Sequence, residues 1–302
     1  MVLLAKNAAP AIKAVGQQVR GMATEKQILL RIGATSNIAK ITKSMKMVSA
    51  AKMRGAENRL MAGRPFVAWL DNTSGKHRVV ERDGFVPKEE LEGENNLFVV
   101  ISSDRGLCGG INSGVAKTVR KQLANVDKAT TQLFVIGDKG RAQLRRDLGE
   151  IIRGNATEAY VNAPTFTVAS AIAEAIVASA AENEKVHVVY NKFVSAIAYQ
   201  PTIRSLAVSA ASEDFDQYEL EPEDKNELLA DLKEFEIASA VFHAIVENST
   251  SEESSRMTAM ENATSNAQDL ISSLTLKYNK ARQARITTEL IEIISGAASL
   301  DG

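Results

Sequence analysis

The sequence is poor in several residue types, and each shortage excludes a class of protein. One cysteine among 302 residues permits neither an internal disulfide nor a cysteine-based metal cluster. The three histidines, at positions 77, 187 and 243, lack metal-ligand spacing. Lys and Arg total 36 against 37 Asp and Glu, and this net charge of −1 argues against a general nucleic-acid-binding protein. We therefore expect no metal, no cofactor and no nucleic-acid partner.

Long apolar runs and aromatic residues are also scarce. The longest unbroken aliphatic or aromatic run, Leu97–Ile101, is far shorter than the roughly 20 residues that span a bilayer, so we expect no transmembrane segment. Aromatic residues make up 5% of the chain, while Ala and Ser are abundant. This composition is typical of long helices that pack through small side chains.

Charge is unevenly distributed along the chain. Residues 1–22 contain three cations, seven positions apart, and no acid, which is typical of a mitochondrial transit peptide. The alternative is a loose tail, because Pro10 interrupts any long helix. Residues 24–80 carry eleven Lys/Arg against three acids, and residues 212–253 carry fourteen acids against two lysines. Such blocks are solvated helix faces, or they meet each other or a charged partner.

The N-terminal part has the pattern of a helix. Residues 24–62 contain no proline, and spacings of 3, 4 and 3 predict a narrow apolar seam made by Ile38, Ile41, Met45 and Val48. Gly63–Pro65 is a possible break, and Gly75–Gly93 has the composition of a loop.

The middle of the chain alternates between strands and helices. We predict strands at Leu97–Ile101, Gln132–Ile136, Val186–Phe193 and Thr202–Ser209. The intervening helices are expected at Ser113–Ala124, Lys139–Leu148 and Val168–Ala181. This alternation indicates an α/β domain with a mainly parallel, Rossmann-like sheet covered on both faces.

The C-terminal part predicts an unusually long helix. Glu223–Ser295 is free of glycine and proline and would span about 110 Å if fully helical. A coiled-coil seam with alternating spacings of 3 and 4 is formed by Met257, Met260, Thr264, Ala267, Ile271, Leu274, Tyr278 and Ala281. The simplest architecture inserts the central domain between two long terminal helices that form an antiparallel coiled coil. The expected segments are 1–22 for import, 23–80 for the first shaft helix and its loop, 95–212 for the α/β domain and 222–300 for the second shaft helix.

The glycine-rich segment Ser102–Gly110 is the strongest candidate for chemistry. It follows a strand and precedes a helix, where phosphate-binding loops lie, but it lacks the glycine spacing and the lysine of known phosphate loops. A tight turn held by Asp104 and Arg105 is the favoured interpretation. Cys108 has no histidine nearby in sequence and is interpreted as a buried structural thiol, and His187 and His243 as packing residues. The chain does not have the features of an enzyme.

The last residues form an apolar helix end. A basic turn containing Lys277, Lys280, Arg282 and Arg285 precedes the apolar segment 286–300. Leu290, Ile291, Ile293 and Ile294 cannot all face one narrow seam, so this end must be enclosed. A membrane surface is the alternative, but Glu289 and Glu292 favour enclosure by protein.

Four segments resemble the gamma-subunit family of F-type ATP synthases, most closely its mitochondrial branch. They are Lys40–Met53, Ser102–Ser113, Arg256–Thr264 and Tyr278–Ser299, and they occur in the family's order. This sequence departs from the family's pattern at Gly33 and Gly55 within the first helix and at Arg285, where smaller residues are common in the family.

The resemblance implies a central rotor shaft. In this family the paired terminal helices enter a hexamer of three alpha and three beta subunits, and the α/β domain binds the delta and epsilon subunits and the c ring. Proton flow turns the shaft, and the beta subunits make ATP. The chain itself is expected to have no catalytic site and to lie on the matrix side of the mitochondrial inner membrane. A nucleotide-using enzyme built around Ser102–Asn112 and a non-rotary coiled-coil scaffold are the alternatives.

The resemblance also implies roles for individual residues. Arg282 and Gln283 are expected to engage a beta-subunit catch loop, with Thr287 and Glu289 alongside and with Leu290, Ile293 and Ile294 in the bearing of the hexamer. A basic shaft face is expected to make charge contacts with acidic lever segments of the beta subunits. It consists of Lys40, Lys43, Lys46, Lys52 and Arg54. Each exposed charge contact of this kind contributes only tenths of a kcal/mol.

Overall fold

The computed structural model describes residues 25–74, 79–87, 90–91, 95–124, 126, 128–179, 185–207 and 225–300. The expected import segment at 1–22 lies outside these residues. The helices are α1 (Glu25–Ser74), α2 (Ile111–Leu123), α3 (Asp138–Leu148), α4 (Phe166–Ser179) and α5 (Lys225–Leu300). The strands are β1 (Val79–Asp83), β2 (Asn96–Ile101), β3 (Thr131–Ile136), β4 (Ile152–Ala156), β5 (Lys185–Ser195) and β6 (Ala198–Ala207). The described residues divide into two compact units, one of 45–260 and one that joins 25–44 to 261–300.

The larger unit contains a six-stranded sheet with the order β1-β6-β5-β2-β3-β4. Strands β5, β2, β3 and β4 are parallel, whereas β6 is antiparallel to both β5 and β1. The prediction of a mainly parallel sheet is therefore confirmed. The two edge strands were not predicted, and the loop expected at Gly75–Gly93 is wrong at Val79–Asp83. Edge strands carry polar residues and lack the buried apolar run that identifies a central strand.

Both faces of the sheet are covered, as the sequence predicts. Every residue of β2 is fully buried, and successive side chains alternate between the two faces. Val99 packs in one core with Ile172 of α4 and Val241 of α5. Val100 packs in the other core with α2 and α3.

Helix α1 is continuous through the segment where the sequence suggested a break. Pro65 lies inside the helix, where it removes one backbone hydrogen bond at a cost of about 3 kcal/mol. Tertiary contacts on both sides offset this cost. Leu60 is fully buried, Val67 is 6% exposed, and Arg64 donates a hydrogen bond of 3.0 Å to the carbonyl of Phe193 on β5.

The apolar seam predicted on α1 is wrong. Ile38, Ile41 and Val48 are 53–59% exposed in the chain, and Met45 is half-buried. Small polar side chains face inward instead, because they allow two helices to approach closely. Thr35 and Thr42, seven residues apart, are each 8% exposed.

Helix α5 runs to Leu300, within the range 222–300 expected for the second shaft helix, and continues through Gly296 without a break. A single glycine costs a helix about 1 kcal/mol, which is too little to end a helix of this length.

Candidate partner interface

In the unit of residues 25–44 and 261–300, the ends of α1 and α5 pair with opposite directions. The hydroxyl oxygens of Thr42 and Thr264 lie 2.7 Å apart, and the Arg285 guanidinium lies 3.2 Å from the Glu25 carboxylate. The contact nearer the start of α1, at Glu25, is made by the later residue of α5, Arg285, and Thr42 is paired with the earlier residue Thr264. The two helix segments are therefore antiparallel.

Burial along α5 follows the residues of the expected coiled-coil seam. In the helix-pair unit, Ala267 and Leu274 are buried, and Ile271 and Tyr278 are half-buried. In the larger unit, Met260 is buried and Met257 half-buried. Leu270 and Leu276, outside this row, are 50% and 58% exposed. Because Thr42 and Ala267 are small, the two helices approach closely in the helix-pair unit.

The C-terminal end of α5 is exposed on every side. All residues from 282 to 299 are exposed, and Ile293 reaches 69%. This stretch includes every residue expected at the catch and the bearing, namely Arg282, Gln283, Thr287, Glu289, Leu290, Ile293 and Ile294. The Thr287 hydroxyl donates to the Gln283 carbonyl of its own helix at 2.9 Å. An apolar helix end whose side chains are exposed on every side is typical of a protein-binding surface.

The basic residues expected on the shaft lie on α1. Lys40, Lys43, Lys52 and Arg54 are exposed, and Lys46 is half-buried. Lys52 also lines a groove of about 340 Å³ together with Arg59 of α1, Asn162 and Glu253.

The glycine-rich loop after β2 is held by hydrogen bonds within it and to two neighbouring segments. The Asp104 carboxylate accepts from the backbone N–H groups of Asp138, at 2.9 Å, and Glu158, at 3.0 Å. The Asn112 side chain accepts from the Ser103 N–H at 3.0 Å and donates to the Ser103 hydroxyl at 2.7 Å. Asp104 therefore ties the loop to two neighbouring segments, and Asn112 holds the turn itself, which the sequence analysis assigned to Asp104 and Arg105.

The adjacent β3–α3 turn leaves no room for a side chain. Gly137 has φ +98°, and a Cβ there would lie 2.2 Å from the Ser102 carbonyl oxygen. The Ser102 hydroxyl donates to the Ile136 carbonyl at 2.9 Å and accepts from the Gly140 N–H at 3.0 Å. Two strand-to-helix turns are thus locked together.

The single thiol is buried, as interpreted from the sequence. Cys108 is 3% exposed, and its sulfur accepts from the Asn112 side-chain amide at 3.3 Å. Neither His187 nor His243, the two histidines in the described part of the chain, lies within hydrogen-bonding distance of its sulfur.

Both described histidines are structural and neutral. Burial lowers the pKa of His187 and of His243 to about 3. His187 bonds Ser205 at 2.8 Å and Asn96 at 2.9 Å, and it stacks on Phe98 at 4.7 Å between ring centroids.

Buried polar residues join α1 and α5 to the sheet, and none of these contacts was predicted from the sequence. Arg204 of β6 is 2% exposed and pairs with Asp71 of α1, where burial raises the pKa of Asp71 against the opposing effect of the guanidinium. The Glu247 carboxylate of α5 accepts from Arg64 of α1 at 3.1 Å, and burial raises its pKa. A charged residue on a long helix normally indicates solvent, so no local pattern could identify these partners.

Two other kinds of site are absent from the described residues. No helix among them is both long and apolar enough to cross a membrane. No group of three or more His, Cys, Asp or Glu side chains in this part of the chain is arranged to hold a metal ion.

Comparison with known proteins places these features in a family. Residues 24–300 match the profile of the family described as ATP synthase. The mitochondrial ATP synthase gamma subunit of Drosophila melanogaster is 42% identical over 286 residues, which cover 95% of this chain and 94% of the relative. The gamma subunit of Yarrowia lipolytica mitochondria is 35% identical over the full length of both chains.

Solved structures show the same fold. A chain in the central stalk and c-ring structure of the Tetrahymena thermophila mitochondrial ATP synthase is 31% identical, with a TM-score of 0.58 over 74% of this chain and 99% of that one. A chain of the Euglena gracilis mitochondrial ATP synthase is 22% identical, with a TM-score of 0.76 over 91% of this chain and 94% of that one. By its sequence over nearly the full length and by its fold, the chain belongs to the gamma-subunit family of the ATP synthases.

Proposed function

We propose that this chain is the rotating central shaft of a mitochondrial F-type ATP synthase. It couples proton-driven rotation of the c ring to the conformational cycle of three catalytic beta subunits, and it runs in reverse during ATP hydrolysis. Residues 1–22 direct the chain to the mitochondrion, where it works on the matrix side of the inner membrane. The chain contributes no catalytic residue, and the ATP synthesis and proton transport belong to the whole complex.

The exposed apolar end of α5 carries this proposal. Five large aliphatic residues there are 51–69% exposed, namely Ile286, Leu290, Ile291, Ile293 and Ile294. Contiguous exposed apolar surfaces of this kind mark sites where a protein partner binds. The bearing of an alpha–beta hexamer supplies that partner, and Ile38, Ile41 and Val48 of α1 offer further contact surface to the same hexamer.

A single shaft controls three chemically identical sites because it contacts them unequally. A rotor shifts a conformational equilibrium only through contacts that differ between the states. Each tenfold bias between open and closed beta subunits requires about 1.4 kcal/mol of such difference. Arg282 and Gln283 at the catch loop, together with the basic face at Lys40, Lys43, Lys46, Lys52 and Arg54, supply contacts of this kind.

Native mass spectrometry tests the assignment. The chain is co-expressed with the alpha and beta subunits and isolated through an affinity tag inserted near Lys128, an exposed residue of the turn between α2 and β3 that is far in sequence from the α5 end. We expect one copy of the chain with three alpha and three beta subunits. Truncation after Ala281 should reduce the yield of that complex. A free monomer or a homodimer of the full-length chain would show that the proposal is wrong.

A further inference from the structure

The face of α5 that rests on the sheet changes character along its length. From Ile237 to Ile245 the buried residues are mainly apolar and join the sheet core that includes Val188 and Tyr190. One turn further, the same face becomes polar but remains buried. We name this second stretch the polar seat and define it as Glu247, Asn248, Ser251, Ser254 and Ser255, which are 0–8% exposed.

The polar seat occupies one side of the helix. At about 100° per residue, its five positions fall within an arc of about 120°. Every member bonds to a segment outside α5. Glu247 accepts from the Phe193 N–H at 2.7 Å, and the Asn248 amide oxygen accepts from the Asn191 side chain at 2.8 Å.

The three serines of the seat all donate to backbone carbonyls. Ser251 bonds the Asn191 carbonyl of β5 at 3.0 Å. Ser254 bonds Ala196, in the β5–β6 turn, at 2.7 Å, and Ser255 bonds Cys108, in the loop after β2, at 2.6 Å. These acceptors belong to the carboxyl end of the sheet, so one helix face is attached to two loops and a strand.

Two further contacts extend the joint. The Asn248 amide donates to the Tyr160 hydroxyl at 2.9 Å, and Tyr160 in turn donates to the Ser102 carbonyl. The Arg64 guanidinium bonds both the Glu247 carboxylate, at 3.1 Å, and the Phe193 carbonyl, at 3.0 Å. Helices α1 and α5 are therefore fixed to the same point of β5.

Apolar packing and hydrogen bonding resist different motions. Apolar burial is non-directional, so a small rotation of a helix about its axis changes it little. A hydrogen bond weakens steeply when its angle or length changes, and strand and loop carbonyls have fixed positions. Several such bonds on one helix face therefore resist both rotation of the helix about its axis and sliding along it.

We infer that the polar seat is the joint that transmits torque between the sheet domain and α5. This inference rests on the proposed shaft function, and the five residues are positioning residues for energy coupling. Loss of their hydrogen bonds should lower the torsional stiffness of the shaft without changing the chemistry in the beta subunits.

The test measures torsional stiffness in the assembled complex. A bead is attached to the sheet domain through Lys117→Cys, while buried Cys108 stays unreactive, and the hexamer is fixed to a surface. The variance of the bead angle in the stalled complex reports the stiffness. The seat variant combines Ser251→Ala, Ser254→Ala and Ser255→Ala. The matched control combines Ser265→Ala, Ser272→Ala and Ser273→Ala, which alter three exposed serines of the same helix.

We expect at least a twofold larger angular variance in the seat variant than in the control, with unloaded ATP hydrolysis within twofold of the unmodified complex. A role in stability alone would lower the melting temperature but leave the variance at 25 °C unchanged. Equal variance in the two variants would overturn the inference. If the triple variant does not assemble, the three single serine variants provide the same comparison. If the unmodified chain forms no rotating complex, the proposed function itself is wrong.

Discussion

The hydroxyl groups of Thr42 and Thr264, at 2.7 Å, join α1 and α5 by a hydrogen bond at a position where both side chains are small. Thr42 also lies 3.1 Å from the Ile38 carbonyl of its own helix, so its hydroxyl has partners on both sides. At this position the two helices are thus held by a polar contact and by close approach rather than by large apolar residues.

Substitution of Thr42 should weaken the helix pair in two distinguishable ways. Thr42→Val removes the hydroxyl and keeps the shape, at an expected cost of about 1 kcal/mol. Thr42→Leu adds volume to a tight contact, at a cost of about 1–3 kcal/mol. Hydrogen exchange of the amides of residues 261–281 measures both losses. Thr288→Val is the control, because that exposed hydroxyl bonds its own helix at 3.0 Å. Equal protection in all three variants would contradict the close contact.

The coiled-coil seam on α5 predicts a strong contrast between neighbouring leucines. Leu274 is 8% exposed and Leu276 is 58% exposed. Leu274→Asp places an unpaired charge inside the helix pair and should destabilise it by more than about 3 kcal/mol. Leu276→Asp should change the stability by less than about 0.5 kcal/mol. Hydrogen exchange of the isolated chain distinguishes them, and equal effects would show that the seam is misplaced.

The proposed catch residues should be needed for coupling. Arg285 has ionic contacts with Glu25 at 3.2 Å and Glu289 at 3.7 Å, whereas Arg282 has no ion pair with any described residue. Arg282 is therefore available to a partner.

The double variant Arg282→Ala and Gln283→Ala should lower ATP synthesis at least tenfold in reconstituted vesicles. The reason is that we expect the two contacts together to supply at least about 1.4 kcal/mol of the energy difference between beta-subunit conformations, which corresponds to a tenfold change in their populations. The control is Asn279→Ala combined with Lys280→Ala, one turn earlier and also exposed. Unchanged synthesis in the catch variant would refute the assignment of these two residues.

The buried histidines predict that acid destabilises the sheet domain. Burial lowers the pKa of His187 to about 3 in the folded state, whereas an unfolded histidine has a pKa of about 6.5. Between these values the unfolded state binds the proton and the folded state does not, so the free energy of unfolding falls as the pH falls from about 6.5 towards 3.

In the variant His187→Gln the unfolded state binds one proton fewer, so the free energy of unfolding should depend less steeply on pH. Denaturant unfolding of the sheet domain at pH 4.5, 5.5 and 6.5 is the measurement. As the pH falls from 5.5 to 4.5, the free energy of unfolding should decrease by up to about 1.4 kcal/mol more in the unmodified protein than in His187→Gln. Asp71, Glu247 and Glu252, whose pKa values burial raises, act in the opposite direction. They are common to both proteins and cancel in the difference. Parallel pH profiles would show that His187 takes up its proton before unfolding.

Several elements could be predicted from the sequence because their signals are local. The apolar run Leu97–Ile101 identifies a central strand since both of its faces are buried. The absence of glycine and proline in Glu223–Ser295 identifies the long helix, and the alternating row from Met257 to Ala281 identifies its buried side. The four family segments, which run in order along the chain, identify the family.

Other features depended on contacts between residues far apart in sequence. Pro65 would end an isolated helix, but Leu60, Arg64 and Val67 hold the chain helical on both sides of it. The hydrophobic pattern placed the seam of α1 at Ile38 and Ile41. The structure turns this face outward, because the small threonines of the neighbouring face allow closer packing.

The sequence by itself determined the mainly parallel sheet, the two long helices, the apolar end of α5 and the family, because composition, periodicity and family motifs are local properties of the chain. Only the tertiary structure decided how the helices are fixed. Serine, asparagine and glutamate on a helix normally face water. In the polar seat they face Asn191, Phe193, Ala196 and Cys108, and that arrangement exists only after the sheet, the turns and α5 have come together.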